Sequence, residues 1–399
     1  MSLMQNKSLL CCLLLTAVSA TAQNKLESPM QIQNSNTFVL EGTLKGLPIM
    51  PEKVYLIYDS TNAKPVDSAI VKNGRYAFKG KISDPALVFI SPKLLNSMDS
   101  KEAGILGTSE YVAKVFLDKG KLTATSDKSM DNVTVTGSAV HKEYVAAVKQ
   151  DNILWKDTIM GIVKLYTETK NRTYFDMLFL SGKSMENTYR AGHWDFMKKH
   201  PASPVTAYLL CRDLKMSTSP AGYVDSLATV YNRLPEHLKA SPAGMKAAEL
   251  LDTELKSALG HKVPDFTQLD NNGDPVSLSS FKGKYVLVSF WKTSDQGFYT
   301  GFLPYIQRAF NDYKDKGLAL ITVSLDENRD TWLQALGQAK IPGAHLSDGR
   351  GAANEVAQLF GYTASTYPLH NVLIAPNGKI IAKNLSGTSL TDMMTSIFN

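Results

Sequence analysis

From residue 38 to residue 136, apolar and polar positions alternate, or run apolar, over short segments separated by turn residues: FVLEGTL, KVYLIYD, SAIVKNGRYAFKGKI, ALVFISP, AKVFLDKGKLTAT and NVTVTG. A period of two marks half-buried strands. Asn73-Gly74 sits between two such segments, as in a type I′ hairpin. Six or so strands without a helical interruption predict an antiparallel β-sandwich over residues 37–137. From 139 to 259 the period becomes helical. Tyr144, Val148, Ile153, Leu154, Ile159, Ile162 and Val163 predict one long helix, and residues 174–199 another. The run His200-Pro201-Ala202-Ser203-Pro204 breaks the chain. Further helices fit 205–214, 223–234 and 243–259. Trp155, Tyr166, Trp194 and Tyr208 fall on the apolar stripes and are core positions. After a short link at 260–263, residues 262–399 mix the two periods. A hairpin around Asn271-Asn272-Gly273 leads to a continuous apolar strand ending at Trp291. Phe298, Phe302, Ile306, Phe310 and Tyr313 then recur at helical spacing. Strands at 318–323, 371–375 and 380–384 and helices at 330–339, 355–361 and 390–398 complete the segment. The fold class is α+β multidomain: a β-sandwich, a central α-helical region and a C-terminal α/β domain.

Residues 1–22 have a lone Lys7, an apolar core from Leu9 to Val18, and Ala20-Thr21-Ala22 before Gln23. That pattern predicts a cleavable secretory signal. Its core is about half the ~20 residues that a membrane span needs. Cys11 and Cys12 open the core, whereas a lipidated cysteine would close it. No later stretch is apolar for long enough to cross a bilayer, so the expectation is a soluble periplasmic protein. Lys and Arg number 43 against 37 Asp and Glu, a formal charge of +6, with no run of five like charges. This mild, dispersed excess argues against a nucleic-acid partner. Of three cysteines only Cys211 remains after cleavage. It lies on a helical apolar pattern, where a lone cysteine is a small hydrophobe, and it rules out an intramolecular disulfide. No His-X-His or His-X-X-X-His pair, Gly-rich phosphate loop or Gly-X-Ser-X-Gly elbow occurs, so no metal and no cofactor are expected.

The stretch 285–304, YVLVSFWKTSDQGFYTGFLP, resembles the active-site loop of the thioredoxin superfamily, in its exported thiol:disulfide interchange and peroxiredoxin-related (AhpC/TSA-like) branch. PDFTQLDNNGDPVSLSSFKGKYVLVSFW is similar to the way those modules open, and the resemblance covers 262–399, implying a thioredoxin-like α/β domain there. That family carries Cys-X-X-Cys in the loop. Here the two positions fall on Asp295 and Phe298 counting from Trp291, or on Gln296 and Tyr299 counting back from Pro304. Neither register holds a thiol, and the one-residue disagreement implies a small insertion. The family's buried carboxylate is replaced by Ser289. Thr293 matches the threonine of peroxiredoxins, but no cysteine follows it.

Thiol exchange needs a thiolate and a resolving thiol, so no catalytic residue is assigned. The degenerate loop comprises Trp291, Ser294, Asp295, Gln296, Gly297, Phe298 and Tyr299. Asp295 is read as a helix cap rather than a general base facing His370. The resemblance places a cis-proline at Pro368, after Tyr367, beside backbone that pairs with extended peptides. Helical spacing puts Phe302 with Ile306 on the buried stripe, leaving Phe298 or Tyr299 accessible. The residues thus predict a redox-inactive binding or scaffolding protein with a protein or peptide partner in the cell envelope. The alternatives are an oxidoreductase using partner thiols or Cys211, and a structural subunit. Residues 37–137 resemble the uncharacterised β domain that precedes exported thioredoxin-like modules, through the Gly42 strand, the Asn73-Gly74 hairpin and the Lys119-Gly120 turn. A spacer or dimerisation role is expected for it.

Overall fold

The computed structural model describes residues 36–58, 65–93, 112–154, 159–215, 220–362 and 371–399. The proposed signal segment 1–22 and the candidate residues Tyr367, Pro368 and His370 lie outside them. No described helix is long and apolar enough to cross a membrane.

Eight strands form two four-stranded sheets. One holds Thr37–Lys45, Arg75–Lys81, Gly120–Asp127 and Val133–Thr136; the other holds Lys53–Tyr58, Pro65–Ile70, Ala86–Ser91 and Ala113–Leu117. Alternation along Thr37–Lys45 sends Phe38, Leu40 and Leu44 into a core shared with Leu56, Phe78, Val115 and Leu122. Gly42 is required there: the Tyr76 ring lies over it, and a Cβ would come within 1.9 Å of that ring. The sandwich is antiparallel with one exception. Thr37–Lys45 runs parallel to Gly120–Asp127, because the turn at Asp118-Lys119 carries the chain from one sheet to the other. The Asn73-Gly74 turn has both residues at positive φ (50° and 70°), closed by Lys72 and Arg75 exchanging backbone hydrogen bonds of 2.8 and 3.0 Å. Beyond it the strands part, Pro65–Ile70 into one sheet and Arg75–Lys81 into the other. The hairpin therefore stitches the two sheets together at one end.

The expected single helix through 144–163 is interrupted: Ala139–Ala147 and Lys149–Ile153 are separate helices, and Met160–Thr169 follows residues 155–158, which lie outside the described residues. The chain breaks at Val148 (φ −102°, ψ 12°). A straight helix would carry Asp151 past its buried partners; the break turns it inward to His193 and Arg212. The long helix Arg172–Lys199, the helices Pro204–Leu214 and Tyr223–Asn232, and Pro242–Lys256 pack around Leu209, Leu210, Leu227, Val230 and Leu251. Ser203 and Ser241 cap the helices that begin with Pro204 and Pro242, where a missing N–H costs nothing. Phe116 and Leu87 of the sandwich belong to this same core.

The C-terminal domain is a five-stranded sheet in the order Ala344–Leu346, Leu318–Ser324, Tyr285–Trp291, Asn371–Ile374, Ile380–Lys383. Tyr285–Trp291 is central and buried on both faces: Val286, Val288 and Phe290 enter one cluster, Leu287 and Trp291 the other. Residues 260–263 are not a free link. Gly260 N–H donates to Ile380 O (2.8 Å) and Ile380 N–H to His261 O (2.9 Å), so the link covers one sheet edge. At the opposite edge Ser347 N–H donates to Leu269 O (3.3 Å) and Asp270 bridges Leu346. The ion pair of Lys383 with Glu254 (2.9 Å) fastens the helical region to this domain.

Candidate functional site

The loop after Tyr285–Trp291 is held by a carboxylate that lies beyond it in sequence. Asp326 follows the neighbouring strand Leu318–Ser324 and is buried. Its oxygens accept from the Thr293 backbone N–H (3.2 Å to each), from Thr293 Oγ1 (2.7 Å) and from Ser324 Oγ (2.9 Å). Three neutral donors satisfy a buried charge that would otherwise be costly. Asp326 escaped the sequence reading; the only available signal was an acidic residue just past the end of a wholly buried strand.

Asp295 is a turn residue. Its N–H donates to Lys292 O (2.9 Å), and its Oδ1 accepts from Phe298 N–H (3.2 Å), which satisfies a donor at the start of the helix. The next five residues, Phe298–Phe302, form a π-helical turn in which Leu303 N–H bonds back to Phe298 O. Pro304 has no N–H for the Thr300 carbonyl, so an ordinary α turn could not be completed here. A π turn holds one residue more than an α turn. One residue is also the size of the disagreement between the two ways of counting the loop.

The loop side chains divide sharply. Ser294, Gln296 and Gly297 are exposed, and Asp295 and Tyr299 are half-buried. Phe298 is only 2% exposed and stacks on Trp291 (centroids 5.3 Å apart, planes at 22°). Phe298 therefore belongs to the core, and Tyr299, edge-on to Trp291 at 6.2 Å, is the accessible member of the pair. Phe302 is half-buried rather than fully on the inward stripe beside Ile306. Burial, reinforced by Asp326 and Asp295, raises the Tyr299 pKa, so its hydroxyl stays protonated as a hydrogen-bond donor.

Between the loop and the helix Arg329–Ala339 lies a cleft of about 620 Å³, walled by Thr293, Ser294, Gln296 and Tyr299 on one side and Gln334 and Gln338 on the other. Its polar groups are neutral amides and hydroxyls. Trp291 and Trp332 share one apolar cluster with the cleft residues Tyr299 and Ala335. The indole N–H groups of both tryptophans are buried without an acceptor. Such groups are costly to leave unmade. Among the described residues no group of three or more His, Cys, Asp or Glu is placed to hold a metal. Cys211 is far from the loop in sequence, buried in the helix Pro204–Leu214, with its Sγ donating to Ala243 O (3.0 Å).

A central strand, a loop at its end, a helix carrying a proline at its start and an antiparallel strand pair beyond define a thioredoxin-like domain. Residues 259–383 match the AhpC/TSA family, and residues 38–144 match a domain of unknown function, DUF4369. The C-terminal third of the chain is thus similar to the AhpC/TSA, thioredoxin-like thiol:disulfide oxidoreductase family. The chain is similar to the thiol-disulfide oxidoreductase ResA of Bacillus subtilis (strain 168), with 28% identity over 140 residues, which are 35% of this chain and 74% of that protein. It is 34% identical to ResA of Bacillus thuringiensis subsp. konkukian over 74 residues, 18% of this chain, and spans 42% of that relative's length. The thioredoxin domain of a thiol-disulfide oxidoreductase from Bacteroides vulgatus is 32% identical, covering 36% of this chain and 99% of its own, with a TM-score of 0.33.

Proposed function

We propose that this protein is exported, carries out no thiol exchange of its own, and uses the altered loop of its thioredoxin-like domain to bind a protein or peptide partner in the cell envelope. The observation that carries the reading is the loop itself. In either register the positions where the family holds cysteines, Asp295 and Phe298 or Gln296 and Tyr299, carry no thiol, and the loop is fixed by Asp326. Its exposed edge faces a neutral, hydrogen-bonding cleft. Both outer edges of the sheet already pair with the chain's own backbone, so the partner sits in the cleft and does not extend the sheet at those edges. Peptide main chain suits this lining, because each glutamine amide offers a donor and an acceptor in the geometry of a peptide group.

Export rests on the leader pattern of residues 1–22, and the intact mass of the secreted protein should correspond to a chain beginning at Gln23. The binding reading is tested by photo-crosslinking in envelope extracts. A photoreactive residue at Gln338 should yield a discrete adduct that survives dithiothreitol, and one at exposed Lys119 should not. Equal labelling from both positions, or an adduct lost on reduction, would overturn it.

A further inference from the structure

The densest set of buried ionisable groups lies in the helical region and is unrelated to the family's chemistry. His193, fully buried on the helix Arg172–Lys199, meets a carboxylate at each ring nitrogen: Nδ1 to Asp213 Oδ1 at 2.6 Å and Nε2 to Asp151 Oδ2 at 2.9 Å. Both carboxylates already accept from other donors. Arg212 reaches Asp151 Oδ2, and the Tyr223 hydroxyl donates to Asp213 Oδ2. An imidazole between two ionised acceptors satisfies them only by donating from both nitrogens, which requires the doubly protonated ring. Tyr189 stacks on the imidazole at 6.4 Å, and Arg190 lies over the Tyr223 ring at 5.6 Å. These are the titratable and charged groups that the packed helices turn toward His193.

We propose that the Asp151–His193–Asp213 bridge is a proton-controlled latch that fastens the short helix Lys149–Ile153 to the helical core and releases it on deprotonation. When the ring loses a proton, one nitrogen presents a lone pair to a carboxylate and that contact turns repulsive. Asp213 is fully buried, closer to the ring, and also held by Tyr223. The remaining N–H therefore stays with Asp213, and Asp151 is the partner that lets go. Asp151 is the one side chain of its five-residue helix that is buried, and the chain bends at Val148 to deliver it. Without His193, Arg212 is the remaining side-chain partner of Asp151 among the described residues. Burial by itself would lower the His193 pKa, but the hydrogen bonds and charges of the two aspartates outweigh it and raise the value. The latch is thus closed below the raised His193 pKa and opens as pH rises through it.

Hydrogen exchange of the full chain between pH 6 and 10, corrected for the intrinsic rate, tests this at residues 149–153. Protection there should fall by up to about tenfold per pH unit between the ordinary histidine value near 6.5 and the raised His193 pKa, and level off above it, as one linked proton requires, while amides of the helix Pro242–Lys256 keep theirs. In Asp151→Asn the same amides should exchange faster already at pH 6 and lose the pH dependence; His193→Gln should do the same if it folds. The His193 ring resonance in the wild type gives a reading independent of any variant and should titrate above the ordinary value of about 6.5. Flat protection in the wild type, or titration below that value, would overturn the latch.

Discussion

In the loop at 291–299 one buried carboxylate, Asp326, is satisfied by a backbone amide and two hydroxyls. In the helical region two buried carboxylates are satisfied by an imidazole, a guanidinium and a phenol. The donors to Asp326 are neutral groups that do not titrate near neutral pH. A histidine bridge depends on pH directly. The comparison teaches that the two regions bury carboxylates by different means, the thioredoxin-like loop with neutral donors and the helical region with a titratable imidazole.

Four expected outcomes break or sharpen that contrast. Asp213→Ala strands the His193 charge and the Tyr223 hydroxyl in the core, and denaturant unfolding should show a loss of about 3–5 kcal/mol. Phe298→Ala removes a fully buried ring from its stack on Trp291 and should cost about 3–4 kcal/mol by the same measurement. A small effect there would return Phe298 to the surface and revive it as a partner anchor.

The third outcome is a stability maximum near pH 6.5 with different causes on its two sides. His141 is buried and its Nδ1 accepts from Phe116 N–H, so burial holds its pKa down to about 4. The unfolded chain therefore binds that proton more readily, and stability is lost as pH falls from 6.5 toward 4, by on the order of 3 kcal/mol. His193 has the opposite sign: its raised pKa contributes stability that is complete below 6.5 and disappears as pH rises through the folded value. Thermal unfolding across pH should show both arms. His141→Gln should flatten the acid side only, and Asp151→Asn the alkaline side only. The smallest effect belongs to Tyr299→Ala, which should change stability by about 1 kcal/mol or less yet abolish the Gln338 crosslink. Retained crosslinking would place the partner elsewhere.

Strands and helices were legible because their apolar periods are local. The central strand Tyr285–Trp291 announces its double burial in its own residues, and Asn73-Gly74 announces its turn. The parting of the strands beyond that turn was not legible, since it depends on which sheet each strand joins. The break at Val148 was hidden for the same reason: the residue that demands it, Asp151, answers to His193, 42 positions away. At the site, the absent thiols and the inserted residue could be counted directly. The burial of Phe298 follows from the π turn at Pro304, which rotates the loop's aromatic residues away from ordinary helical spacing. Asp326 and the glutamines of Arg329–Ala339 reach the loop only through the folded sheet.

The central claim, a thioredoxin-like domain that binds without exchanging thiols, is tested most directly by insulin reduction with dithiothreitol, comparing the purified wild type with Cys211→Ala. Neither protein should accelerate the reaction above the reductant alone. Acceleration by the wild type that disappears in Cys211→Ala would contradict the account and make the buried thiol of the helical region the reactive group.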